Sequence, residues 1–415
     1  MEENEKRFEQ DIETYLLSED GGYIKGNPKD FDKESALNQK DLFKFIEDTQ
    51  SKEWNRYKTA FPDDHESRFI KRFNEEVVTR GIIDVIRNGI TDRGFKFKLA
   101  YFMPETDLAP ENWDLYNKNI LNETRQLKYS TQNENSVDIV LLLNGIPVVA
   151  LELKNQITGQ NSQNAQKQFM YDRDPRELIF RFNSRIIAYF AVDHYDVKYT
   201  TKLAGKDTYY LPFNQGSNGA GNVGGAGNPT NENGYTTDYL WKNVLKKDSL
   251  MEIIHKFIHL QVKEEVSHRG GKEIIKKKEN IIFPRFHQLD VVRKLIWNVR
   301  DCGVGQNYLI QHSAGSGKSN SIAWLAHRLS GLHDKDNNAV FNSIIVVTDR
   351  KILDKQLQET IYQFEHQKGV VVKIDDEKTS KDLKDAINDG KRIIITTLQK
   401  FPVIYKDVDD ISEFF

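Results

Sequence analysis

"VDIVLLLNGIPVVALELKN", residues 137–155, holds two apolar runs split by Asn144–Gly145, with Asp138, Glu152 and Lys154 set among them. Short runs of Val, Leu and Ile around an Asn-Gly pair read as the two strands of a hairpin. Ionisable groups are rarely buried unless they are paired or bound to a metal. Glu152 and Lys154 stand two apart and so share one face of a strand. Two carboxylates converging beside a lysine can hold Mg2+ and act on a phosphodiester, the lysine stabilising the charge that develops. A strict two-residue turn, however, opposes Asp138 to Leu151 and sends Asp138 and Glu152 to opposite faces. A shared site demands a one-residue offset, by a bulge or a three-residue loop. Pro147, which cannot donate to a ladder, marks a place for it. Taken singly, Asp and Glu-x-Lys on alternating strands are ordinary surface positions.

The surroundings favour a domain of mixed elements. Residues 5–17 and 68–88 have helical apolar spacing, the second run ending at Gly89. Strand patterns occupy about 92–155, a helix is predicted over 161–172, and the apolar run after Arg185 reads as strand. Residues 214–234, rich in Gly and Asn, read as a flexible surface insertion; glycine-rich backbone can also approach phosphates closely. Helical patterns over 239–260 and a polar stretch over 262–280 follow. The basic cluster Lys276, Lys277 and Lys278 reads as a solvated connector rather than a DNA clamp.

Beyond residue 280 the pattern changes. Strand-sized runs (307–311, 343–348, 392–396) alternate with helical ones (286–300, 318–331, 351–365, 380–388), which predicts a parallel sheet wrapped by helices. Between Tyr308–Gln311 and the helical run from Lys318 lies "HSAGSGKS". Gly315 and Gly317 let the backbone turn its N–H groups around a phosphate, with Ser316 between them. Lys318 can reach the β- and γ-phosphates of ATP, the Ser319 hydroxyl can ligate its Mg2+, and the helix N-terminus attracts anions. His312 stands where the simplest pattern has Gly. Upstream, "FPRFHQLDVV" offers Arg285 and Gln288 as counterparts of an adenine-reading glutamine element of superfamily 2 helicases. "IIVVTDRKILDKQ" and "RIIITTLQKF" resemble strand-end motifs that touch the DNA backbone there, with Thr348, Asp349, Arg350, Thr396 and Thr397 as counterparts. A nucleotide-hydrolysing motor also needs an acidic strand-end motif. Asp409 and Asp410 follow no apolar strand, so the lobe reads as the incomplete front part of a longer protein.

Composition bounds the rest. The 415 residues leave room for two or three domains, and 38% hydrophobic with 29% charged residues fits a soluble globular chain. No apolar run approaches a membrane span and no signal peptide precedes the first helix, so a cytoplasmic protein is expected. The single cysteine, Cys302, excludes an internal disulfide and a cysteine metal cage. A net charge of −3 decides nothing about nucleic acid, because positive charge can be confined to one groove.

"NSVDIVLLLNGIPVVALELKN" together with "QHSAGSGKSNSIAWLAHRL" resembles the restriction subunit of type I restriction–modification enzymes, over essentially the whole chain. The resemblance implies an α/β fold: a PD-(D/E)xK restriction-endonuclease-like domain followed by a truncated RecA-like superfamily 2 helicase lobe. Its nuclease motif falls on Asp138, Glu152 and Lys154, with Val137 in place of the motif's Pro. Glu9 matches an acidic residue that such nucleases add to the metal site. The family's Gln–x–x–x–Tyr element falls near Tyr171, but Gln168 lies three residues before it and Gln166 five, so either glutamine could act. The expected domains are 1–235 (endonuclease), 236–280 (helical and polar connector) and 281–415 (first motor lobe). The implied activity is Mg2+-dependent cleavage of double-stranded DNA coupled to ATP-driven translocation, in a complex with methylation and specificity subunits. Two other readings stay open: a helicase-nuclease of DNA repair, and an ATP-binding scaffold whose nuclease-like hairpin is inert.

Overall fold

The computed structural model describes residues 2–156, 159–269, 272–348, 351–364, 369–374 and 378–400. They form two units, one of residues 1–104 and 109–286, the other of 105–108 and 287–415. Among the described residues no helix is long and apolar enough to cross a membrane.

The first unit begins with α1 (Glu2–Leu16), β1 (Ile24–Lys25), α2 (Gln39–Ala60), α3 (His65–Arg80) and α4 (Ile82–Asn88). The single helix expected over 68–88 is thus two. Gly81, at φ 80°, ends one and opens the next, and a Cβ there would meet the Asn183 side chain at 2.0 Å. Next come the hairpin β2 (Ile90–Asp92) and β3 (Phe95–Phe97), then α5 (Pro110–Asn117), β4 (Leu121–Lys128), β5 (Ser136–Leu143) and β6 (Ile146–Leu153). After α6 (Ser162–Tyr171) the chain adds β7 (Ala188–Val192), β8 (Val197–Thr200) and β9 (Leu211–Pro212).

Seven strands make one mixed sheet in the order β1-β4-β5-β6-β7-β8-β9, parallel at β1/β4 and β6/β7 and antiparallel elsewhere. Both faces are covered. Val140, Leu142, Ala150 and Tyr189 join Phe169 of α6 in one core cluster, while Ile139, Leu141 and Leu143 are fully buried as well. Two covered faces explain why β5 and β6 read as nearly continuous apolar runs instead of alternating ones.

The Gly/Asn-rich insertion closes on itself: Gly216 N–H donates to Gly227 O (2.8 Å) and Ser217 N–H to Gly225 O (3.0 Å). Asn228 Nδ2 pins it to Tyr195 O at 2.9 Å. The helical pattern at 239–260 becomes two π-helical turns, Leu240–Val244 and Ile253–Phe257, around α7 (Lys247–Glu252). The half-buried Arg87 guanidinium donates to Ile254 O, through Nε at 2.8 Å, and to Ile258 O. The stretch expected as a polar connector is a two-stranded ribbon, β10 (His259–Arg269) with β11 (Lys272–Ile282), antiparallel along its length. Its β11 residues Lys276, Lys277 and Lys278 stand opposite Glu265, Glu264 and Lys263.

The second unit carries α8 (Phe286–Cys302), α9 (Lys318–Ser330), β12 (Ile344–Thr348), α10 (Lys351–Gln363), β13 (Val371–Lys373), α11 (Ser380–Asn388) and β14 (Ile393–Thr397). Its sheet has the order β12-β14-β13, all parallel, as the alternation predicts. The strand expected over 307–311 does not form. Among the described residues it pairs with no neighbour, and Leu309 is 94% exposed. Apolar, β-prone residues supply propensity, but a strand exists only where a ladder accepts it.

Candidate functional site

The hairpin in the first unit decides which side chains meet. Asn144 (φ 49°) and Gly145 (φ 81°) form a two-residue turn, both in the left-handed region that such hairpin turns require. Leu143 faces Ile146 and Leu142 faces Pro147, but Leu141 then faces Val149, so Val148 is an extra residue. This bulge supplies the one-residue offset. Beyond it Ile139 faces Leu151, and one step further along that register Asp138 lies opposite Glu152, on the same face. A regular two-residue hairpin of this sequence would have parted them.

Asp138 is half-buried at the open end of β5. Its Oδ2 accepts the Leu153 N–H at 2.7 Å, and its Oδ1 accepts Gln126 Nε2 at 3.1 Å. The same Gln126 amide donates to Glu9 Oε1 at 2.8 Å, while Arg125 holds Glu9 Oε2 through Nε (3.1 Å) and Nη2 (2.9 Å). Gln126 reaches both carboxylates from a left-handed backbone, φ 49°. Glu9 therefore stands one side chain removed from Asp138. Burial and the negative charge of Asp138 raise its pKa.

Glu152 is fully buried. Arg173, itself 3% exposed, donates from Nε and Nη2 to Glu152 Oε1 at 2.9 and 2.6 Å. Glu152 Oε2 is buried and accepts no hydrogen bond from the described residues. Burial, then the charge of Asp138, pushes the Glu152 carboxyl well above its ordinary range, with Arg173 and Lys154 opposing. The Tyr210 hydroxyl, buried and without a partner, also lies within electrostatic reach of Glu152. Lys154 follows the last residue of β6; its N–H donates to Val192 O at 2.9 Å, and its half-exposed ammonium has no partner among the described residues.

An orphaned buried carboxylate oxygen beside a second carboxylate is the donor set of a hard divalent cation. Among the described residues no three Asp, Glu, His or Cys side chains converge into a metal cage; Asp138 and Glu152 are a pair of carboxylates that could take such an ion, with further ligands from outside them. Gln166 and Gln168 on α6 are partly buried and Tyr171 is 68% exposed. None of the three hydrogen-bonds to Asp138, Glu152 or Lys154 among the described residues. Arg125, Gln126 and Arg173 were not among the residues singled out from the sequence. Arg173 follows Tyr171 by two positions in "YDRD", but no spacing rule ties it to Glu152.

In the second unit, Gly315 (φ 72°) and Gly317 (φ 84°) adopt left-handed backbone, and Gly317 caps α9. Lys318 Nζ donates to His312 O (3.2 Å) and Ser313 O (2.9 Å), folding over the loop's own carbonyls. Ser319 is exposed, and the Ser316 hydroxyl is buried without a partner. Gln288, expected to meet a base, braces the loop in this structure: its Nε2 donates to Gly317 O at 2.9 Å and Ser316 O at 3.3 Å. Arg285 belongs to the first unit, where its charge acts on buried Tyr199. Thr348 and Thr397 are register partners at the carboxyl ends of β12 and β14. Thr396 and Thr397 are buried, so of the threonines proposed to touch DNA only Thr348 is partly exposed. Arg350, Asp349, Asp409 and Asp410 lie outside the described residues.

Residues 2–208 match the family described as type I restriction enzyme R protein N terminus, and residues 287–413 match the SWI2/SNF2 ATPase family. The chain is similar to a putative type I restriction enzyme MjaVIIIP endonuclease subunit of Methanocaldococcus jannaschii, 24% identical over 77% of this chain and 28% of that protein. It is also similar to the type I restriction enzyme SsaAORF53P endonuclease subunit of Staphylococcus saprophyticus, 24% identical over 67% of this chain and 25% of the relative. The chain thus spans about a quarter of the length of these curated relatives. With one unit matching the R-protein N terminus and the other an ATPase of the SWI2/SNF2 kind, the chain belongs to the type I restriction enzyme R proteins, as the N-terminal part of such a subunit.

Proposed function

We propose that the first unit is a PD-(D/E)xK-type nuclease that cuts double-stranded DNA, and that the second binds ATP as part of a DNA-translocating motor. The observation that carries the nuclease reading is the bulge at Val148. It sets Asp138 opposite Glu152 and leaves Glu152 Oε2 buried, with no hydrogen-bond partner among the described residues. Asp138 Oδ1 and Oδ2 are each anchored by one hydrogen bond, which fixes the carboxylate while leaving acceptor capacity on both oxygens. These two side chains would hold Mg2+, which when bound would supply positive charge against the negative charge developing on a phosphodiester. Lys154, whose side chain has no hydrogen-bond or ion-pair partner among the described residues, would bring its ammonium to the phosphate and stabilise the same charge. Glu9, through Gln126, steadies Asp138 and has both of its own oxygens engaged.

For the second unit the support is the glycine pair with left-handed backbone before α9 and a lysine that, among the described residues, is held by backbone carbonyls, a contact that an incoming phosphate can replace. The family relationship supports the wider reading: DNA pulled by ATP hydrolysis before it is cut, in an assembly with methylation and specificity subunits.

Nicking of supercoiled plasmid in Mg2+ tests the nuclease claim. Asp138→Ala and Lys154→Ala should each abolish nicking, with nucleotide affinity at Lys318 unchanged. Wild-type nicking by Asp138→Ala would sink the assignment and return the hairpin to an inert role.

A further inference from the structure

We propose that Arg173 is a positioning residue of the cleavage site: it clamps Glu152 through Oε1, so that Oε2 alone is offered, beside Asp138, to the divalent cation. This rests on the nuclease reading above and deepens it. Arg173 comes from neither strand of the hairpin; it lies just beyond the C-terminus of α6. Its Nε and Nη2 both donate to the one oxygen Oε1, at 2.9 and 2.6 Å, and Nη2 donates also to Ser136 O at 2.6 Å. Ser136 opens β5, two residues before Asp138, so one guanidinium ties the strand bearing one carboxylate to the side chain of the other. The Arg173 guanidinium lies over the Tyr129 ring, 5.6 Å from its centroid, which leaves the clamp little freedom.

The geometry separates positioning from mere charge balance. A guanidinium has a fork of fixed donors and can serve Glu152 and Ser136 together; a lysine ammonium is a point charge that cannot span both in the same way. Arg173 opposes the upward shift of the Glu152 pKa, so the comparison is made where Glu152 is ionised in every variant. There a residue acting only as counter-charge would, on removal, leave a cation bound equally well or better, because a nearby positive charge is gone. A residue that positions Oε2 would, on removal, leave the cation bound more weakly.

The test is calorimetric titration of the folded chain with Mn2+ in the absence of DNA, at a pH where the affinity of each protein no longer rises with pH, comparing wild type, Arg173→Met, Arg173→Lys and Asp138→Ala, with thermal melting as a fold control. Arg173→Met should bind Mn2+ at least tenfold more weakly, and Arg173→Lys should fall between it and wild type. Unchanged or tighter Mn2+ binding by folded Arg173→Met overturns the proposal, even if that variant melts earlier. If Arg173→Met does not fold, Arg173→Lys decides: wild-type affinity there overturns the clamp, and a severalfold loss supports it. Asp138→Ala tells the two readings apart. Its loss of Mn2+ binding beside intact binding by the Arg173 variants refutes only the role of Arg173, whereas full Mn2+ binding by Asp138→Ala refutes the metal site itself.

Discussion

Glu123, in β4, is a fully buried carboxyl with no hydrogen-bond partner on either oxygen among the described residues. Burial, followed by the charge of Glu13, raises its pKa from 4.5 to about 8, against the pull of Arg125 and Lys25. In the unfolded chain Glu123 loses its proton near pH 4.5, but in the folded unit it keeps it until about pH 8. Between those values the folded state binds more protons than the unfolded, so stability falls as pH rises through the window and levels off above it. At about 1.4 kcal/mol per pH unit, the penalty reaches roughly 3 kcal/mol at pH 7 and is nearly absent below pH 5. Glu123→Gln keeps the shape and stays neutral at every pH, so it should remove this penalty. Urea denaturation read by hydrogen exchange at β4 and β5 amides isolates the first unit. The variant should approach wild type below pH 5 and exceed it by about 3–4 kcal/mol at pH 7 to 8. Glu9, Glu13, Arg125 and Lys25 are common to both proteins, so their titration cancels from the difference to first order. A stability difference that stays flat from pH 5 to 8 would refute the reasoning, whatever its size.

Three further outcomes follow from the same geometry. Lys318→Ala removes a charge-assisted contact worth about 1.5–3 kcal/mol, so titration with a fluorescent ATP analogue should show a ten- to hundredfold weaker Kd. Gly145→Ala forces an L side chain into φ 81° and drives its Cβ to 2.1 Å from Asn38 O. The backbone term alone costs about 1 kcal/mol and the clash adds to it, so urea unfolding should show a loss above roughly 2 kcal/mol. Gly81→Ala meets the same kind of obstacle, at φ 80° against Asn183, and should lower the melting temperature of the first unit; an unchanged melt would mean that α3 and α4 can tolerate a continuous helix.

The local signals were strong where chemistry is written in consecutive residues. The glycines and lysine of 315–319, the Asn-Gly turn and the alternation of strand and helix after residue 280 all stand in the sequence. Each depends on backbone geometry or on periodicity within a few residues. The need for an offset in the hairpin was legible too, because a period of two makes facing a matter of counting. Its place was not: Pro147 pointed to the neighbourhood, and only the ladder shows that Val148 is the residue left over.

Other features belonged to tertiary structure from the start. The run 308–311 has strand propensity and no strand, since pairing is supplied by a neighbour and not by the segment. Gln288 braces the phosphate loop, Gln126 couples Glu9 to Asp138, and Arg173 meets Glu152 across 21 positions. A buried charge takes whatever counter-charge the fold brings within reach, and one-dimensional spacing does not encode that distance. The sequence alone determined which side chains could do chemistry and which short segments could be strand, turn or helix. Tertiary structure decided which of those side chains face each other, because one extra residue in β6 reverses every facing beyond it.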